Sequence, residues 1–248
     1  MSFQKAFSKS SNPMLGEEKY KTVLDAGLVE RGQTMTVQGA INKTFILMGI
    51  MLAASTFSFM YPSMILVWTG IIGGAIVFYI TSSNPSRAPY LAPVYAILEG
   101  LLVGAISKMY MMAFVPGIIF QAVTITFAIL FMMLMIYKSG LIKVTEKLRA
   151  GITMAVGAVM IFYLINMVCH FIGINIPFIH EGGMLSIGIT LVIIGIASMN
   201  LLLDFDNIEK GAAMKAPEYM EWYSGMGLLF TLVWLYLEIL RLLSYIRD

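Results

Sequence analysis

The stretch LLLDFDNIEKG, residues 201–211, places three carboxylates, Asp204, Asp206 and Glu209, at the end of an apolar run. Carboxylate oxygens suit hard cations such as Ca²⁺, and rings of acids attract cations at channel mouths. A helix carries negative partial charge at its C-terminal end, so three acids there are unfavourable alone. A cation, Lys210, Lys215 or a bound proton must compensate. Asp204 shares a helical face with Ile208, while Asp206 points elsewhere and, with Glu209, reads as solvated.

Other ionisable groups lie inside apolar stretches. Glu99 falls in APVYAILEGLLVGAISKMY and is followed by Gly100 and Gly104, a small-residue pair that permits close helix contact. It reads either as a functional group or as a protonated Glu hydrogen-bonded across that contact, since an ionised carboxylate in hydrocarbon must face a cavity or a partner. Glu238 lies in GLLFTLVWLYLEILRLLSYI, with Arg241 one turn beyond on the same face. Counted from Trp222, Glu238 is about 24 Å along a helix, near the far interface, where Arg241 can pair with it and snorkel outward. A titrating gate is the other reading of Glu238.

Several chemistries are excluded. The chain has two histidines, His170 and His180, too few for a closed metal site or a histidine-rich intramembrane hydrolase. Asn166 and His170 share one face, a pattern more typical of an interhelical donor than of a ligand. No Ser/His/Asp set stands at compatible depths, so no enzyme is expected. The single cysteine, Cys169, rules out an intramolecular disulfide and a thiolate cluster. A net charge of +2 gives no basic footprint for nucleic acid. No metal or other cofactor is expected, calcium being at most a transported ion.

The elements that position these residues follow from composition. Of 248 residues, 59% are hydrophobic and 12% charged, against about a quarter charged in a soluble domain, and the mean hydropathy is +0.84. The fold expected is an all-α polytopic membrane protein. Seven stretches can cross the hydrocarbon, which takes about 20 apolar helical residues: 44–61, 64–82, 90–110, 114–137, 150–173, 184–203 and 222–246. Tyr61-Pro62-Ser63, Ser82 to Ser86, Pro116-Gly117, and Pro177 with Gly182-Gly183 separate them. Residues 1–43 read as a tail whose stretch from Thr34 to Lys43 forms a short interfacial helix; residues 44–248 form the seven-helix domain. With the N-terminus cytoplasmic, 13 of the 16 Lys and Arg lie inside, leaving Lys108, Arg241 and Arg247 outside with the C-terminus.

Three stretches together, APVYAILEGLLVGAIS, LDFDNIEKG and APEYMEWYSGMGLLFTLVWLYLEILRLL, resemble the bacterial branch of the transmembrane Bax-inhibitor-motif family, of the YccA type. The resemblance runs from about Met35 to Ile246. It implies six helices around a central seventh, a bacterial plasma (inner) membrane location, and a pH-sensitive calcium leak. It also implies a proton-sensing latch between two carboxylates, one ending the sixth helix and one in the seventh. The first matches Asp204. Matching LYLE places Glu238 in the second role; matching the terminal arginine to Arg241 places Thr231 there. Thr231 lies about 13 Å into the seventh helix and suits a partner near the sixth helix's end better than Glu238 does. A Thr hydroxyl can donate to an ionised Asp204 or accept from a protonated one, without the repulsion of a two-carboxylate site.

Two functions follow. Asp204, Asp206, Glu209 and Glu99 could supply a calcium path. Alternatively, as the resemblance to other bacterial members implies, the cytoplasmic tail restrains a membrane-anchored ATP-dependent protease. Beyond these partners, only the lipid bilayer is expected.

Overall fold

Seven apolar segments become seven helices because lipid offers no hydrogen bonds, so each segment must satisfy its own backbone. The structure, a computed structural model, describes residues 33–114, 117–172 and 183–247, apart from the side chains of His170 and Phe171. Residues 1–32 of the tail, His180, Pro116, Pro177 and Gly182 lie outside the described residues, as does the His170 side chain. Among the described residues the α-helices are α1 (Val37–Met60), α2 (Met64–Ser83), α3 (Ala88–Ala113), α4 (Ile118–Lys138), α5 (Glu146–Phe171), α6 (Met184–Ala213) and α7 (Tyr219–Arg247). All seven are long and apolar enough to cross a membrane, and among the described residues there is no strand. The fold is that of an all-α polytopic membrane protein.

Caps set several boundaries. Thr36 caps α1, its hydroxyl accepting from the Gly39 N–H at 2.9 Å, so the helix runs unbroken from Val37 through Lys43 to Met60. Ser63 caps α2 in the same way. A 3₁₀ turn, Pro85–Arg87, leads into α3.

The larger difference from the expected spans is at α6. Hydropathy ends the sixth span at residue 203, but the helix continues to Ala213 and carries Asp204, Asp206 and Glu209 on helical faces. Helix formation needs backbone pairing, not apolar side chains, and partners from neighbouring helices make the charges tolerable there.

The most buried of the seven spans is α7. In its most apolar window 67% of residues are buried, against 56% in α3 and 17% in α1. It packs on α1, α3, α4 and α6, its Phe230 ring meets Phe78 of α2, and its Glu238 meets Tyr163 of α5. Leu201, Leu202 and Leu203 are all fully buried. Consecutive buried residues point to every side of a helix, so α6 is wrapped on all sides where Asp204 follows. Outward faces carry large apolar residues such as Ile65, Phe120 and Met135, a surface suited to hydrocarbon.

Gly100 and Gly104 close α3 on α1. A Cβ at either would run into a backbone carbonyl of α1, from Met51 or Ser55. The Ser58 hydroxyl donates across this contact to the Gly100 carbonyl at 3.3 Å.

Candidate functional site

On α6, Asn200 and Asp204 are one turn apart and share a face; on α7, Gly227 and Thr231 do the same. Where the helices meet, the Thr231 hydroxyl donates to Asp204 Oδ2 at 2.6 Å. Asn200 Nδ2 donates to Thr231 Oγ1 at 3.1 Å and lies 3.4–3.5 Å from both Asp204 oxygens. Asp204 and Thr231 are fully buried and Asn200 nearly so. The Gly227 carbonyl, 3.4 Å from Thr231 Oγ1, is a second acceptor for the same hydroxyl proton. The three side chains form a closed triangle that ties α6 to α7.

Of the two partners considered for Asp204, the structure selects Thr231. Glu238 lies elsewhere, buried against α5, where it accepts from the Tyr163 hydroxyl. Arg241 Nη1 approaches its Oε2 at 3.2 Å, donates to the Tyr163 hydroxyl oxygen at 3.1 Å, and lies over the Tyr163 ring. Glu238 therefore has the intrahelical partner expected from spacing and a second partner, Tyr163, that spacing could not show.

Asp206 and Glu209 differ from the solvated groups expected. Asp206 pairs with Arg149 of α5, whose side chain is completely buried, and with Lys210 at 3.1 Å. Arg149 also donates to Asn207 Oδ1 at 2.7 Å. Glu209 accepts from the Tyr137 hydroxyl of α4. The compensation for three acids near a helix C-terminus is thus supplied largely by neighbouring helices. Nothing in the local spacing singles Arg149 out from the other Lys and Arg residues as a buried partner. The available signal was a lone arginine opening an apolar span at the end of the bundle that holds the acids.

Glu99 is buried at the α2–α3 contact, with its carboxylate over Gly74 of α2. The structure does not gather Glu99, Asp204, Asp206, Glu209 and Glu238 into one cage, since their neighbours lie on different helices. Among the described residues no three His, Cys, Asp or Glu side chains could hold a metal together. Asn166 spends its amide on the Phe162 carbonyl of its own helix at 2.9 Å.

A further carboxylate was missed. Glu221, in the first turn of α7, accepts from the Thr36 N–H at 2.9 Å and the Thr36 hydroxyl at 3.0 Å. Beside it, Met35 N–H donates to the Ala216 carbonyl at 2.7 Å and Glu218 N–H to the Gln33 carbonyl at 3.1 Å. Residues 33–36 are thereby stitched to the α6–α7 connection, with Lys43 over the Trp222 ring.

No match was found among curated proteins or solved structures. The family model described as Bax inhibitor 1 like matches residues 4–248, a range that takes in all seven helices and both sides of the Asp204–Thr231 contact. The chain therefore belongs to the Bax inhibitor 1 like family of multi-pass membrane proteins.

Proposed function

We propose that this protein is a pH-sensitive calcium leak of a bacterial plasma membrane, with a cytoplasmic N-terminus, an external C-terminus, and Asp204 as its sensor. The observation that carries the reading is a completely buried carboxylate holding α6 to α7 through the Thr231 hydroxyl. Ionised Asp204 can only accept, and 2.6 Å lies within the roughly 2.5–2.7 Å range of charge-assisted O–H···O⁻ bonds. A proton on Asp204 makes the contact neutral and weaker by about 1 kcal/mol, roughly fivefold in a closed-to-open ratio. The latch loosens as pH falls, and oxygen-rich side chains at the end of α6 offer the ligands that calcium prefers.

The expected result in proteoliposomes is a calcium flux above that of empty vesicles that rises several-fold between pH 8 and pH 6. Asp204→Asn, which cannot ionise, should leak at the acid level throughout and lose the pH response. Flux equal to that of empty vesicles across this range would remove the proposal.

A second reading, restraint of a membrane-anchored protease through the tail, is favoured by the stitching of residues 33–36 to the start of α7. A partner pulling on the tail would act directly on the helix that carries Thr231. Deleting residues 1–32 leaves the stitched segment intact and should abolish co-purification of the partner. Capture of the same partner at the same yield by the shortened chain would defeat this reading.

A further inference from the structure

Between α1 and α4 the bundle has a side opening. The two helices flank it without packing closely on each other, and α3 and α7 lie behind. The cavity measures about 280 Å³, nearly twice the ~150 Å³ of an apolar cavity able to take a benzene. Leu52 and Phe59 of α1, Val123 and Phe127 of α4, and Leu232 and Tyr236 of α7 line it. Leu52 and Val123 are exposed at the mouth.

The polar groups on its wall are already spent. Thr56 and Thr126 hydroxyls donate to carbonyls of their own helices at 2.9 and 2.8 Å. Ser107 and Tyr236 bond each other at 2.6 Å. With these hydroxyls engaged, the wall favours an apolar guest over a polar one.

Position names the guest. Phe59 stands next to the last residue of α1, Ser107 lies toward the end of α3, and Val123 is near the start of α4. The cavity therefore reaches from the depth of Thr231, where Leu229 and Leu232 line it, toward the end of the bundle away from Asp204. It opens sideways, where hydrocarbon chains are the surrounding solvent. A cation stands at its rim: Lys108 Nζ lies 5.1 Å from the centre of the Phe59 ring. Among the described residues no carboxylate pairs with Lys108.

We propose that this opening is a binding site for one acyl chain of an anionic phospholipid whose phosphate sits on Lys108. The chain fills the apolar space between α1 and α4. The ammonium, strongly hydrated and able to snorkel along its stem, selects the charged headgroup.

The test uses the full chain released from nanodiscs that contain equal parts phosphatidylglycerol and phosphatidylcholine with identical chains, read by native mass spectrometry. At least fivefold more phosphatidylglycerol than phosphatidylcholine should stay bound. Lys108→Gln should bring the two to parity by lowering phosphatidylglycerol more than phosphatidylcholine, whose choline already offsets its phosphate. Val123→Phe and Leu52→Phe, on opposite sides of the mouth, should each lower total bound lipid at least fivefold. Glycerophosphoglycerol and inorganic phosphate, which lack the chains, should not displace the lipid.

The proposal is overturned if Lys108→Gln keeps the preference, or if both mouth variants that fold retain lipid like the native chain. Displacement by either chain-free anion overturns it too. So does a lipid-free dimer that the Phe variants dissolve, because the groove would then bind a second copy.

Discussion

Thr231→Asp should reverse the sign of the pH response. In the native chain, flux is expected to rise as pH falls, because a proton on Asp204 weakens its charge-assisted bond from Thr231 across the α6–α7 contact. With an aspartate opposite it, two carboxylates would meet where Asp204 and Thr231 are now completely buried. Ionised together at about 4 Å, they repel by roughly 4 kcal/mol at an effective dielectric of 20. That is enough to force the helices apart near pH 8. At pH 6 one shared proton turns repulsion into a short hydrogen bond and the latch closes. Flux through Thr231→Asp should therefore be highest at pH 8 and fall by at least tenfold at pH 6, read in the same vesicle assay. A variant whose flux still climbs on acidification would show that the Asp204–Thr231 contact is not the gate. Thr231→Val, which removes the donor without adding charge, separates these effects: its flux should be raised at pH 8 with little change at pH 6.

Arg149→Met should be the most destabilising single change at the same end of the bundle. The guanidinium is wholly buried and serves two acceptors on α6, Asp206 and Asn207. Methionine keeps much of the volume but leaves Asp206 with Lys210, a partly exposed partner, and leaves the Asn207 carbonyl without this donor. Breaking a buried ion pair from one side costs about 3–5 kcal/mol, because the remaining charge loses its compensation. Unfolding in detergent should register that loss. Adding Asp206→Asn removes the stranded charge, so the double variant should be more stable than Arg149→Met alone. A single variant within about 1 kcal/mol of the native chain would mean that water or Lys210 already satisfies Asp206.

Much of the architecture was legible from local patterns. A run of about 20 apolar residues has one stable conformation in lipid, so the seven spans could be read almost helix by helix. The small-residue pair Gly100 and Gly104 announced a close contact, though not that α1 would be the partner. Spacing along a single helix announced Arg241 beside Glu238. The ends were less legible. Hydropathy stopped the sixth span at the first acid, whereas α6 extends through LDFDNIEKG because Arg149, Lys210 and Tyr137 receive its charges.

The site itself was half visible. Asp204 stood out as a carboxylate at the end of an apolar run, and Thr231 as one of two partners at suitable depth. Asn200 did not stand out, because an asparagine one turn before an aspartate is unremarkable until both face the same hydroxyl. Glu221 looked like a first-turn acid at a helix start, and only the return of residues 33–36 makes it an anchor.

The sequence by itself determined that this chain lies in a membrane, how many times it can cross, and that the carboxylates within or ending apolar runs, Glu99, Asp204 and Glu238, would need partners. Those properties depend on side chains within one helix, whose spacing is set by 3.6 residues per turn. The tertiary structure alone decided which partner each carboxylate received: Thr231 for Asp204, Arg149 for Asp206, Tyr137 for Glu209, Tyr163 for Glu238 and Thr36 for Glu221. Those pairings depend on the rotation and axial shift of one helix against another. They are settled when whole faces pack together, and no local stretch of residues encodes them.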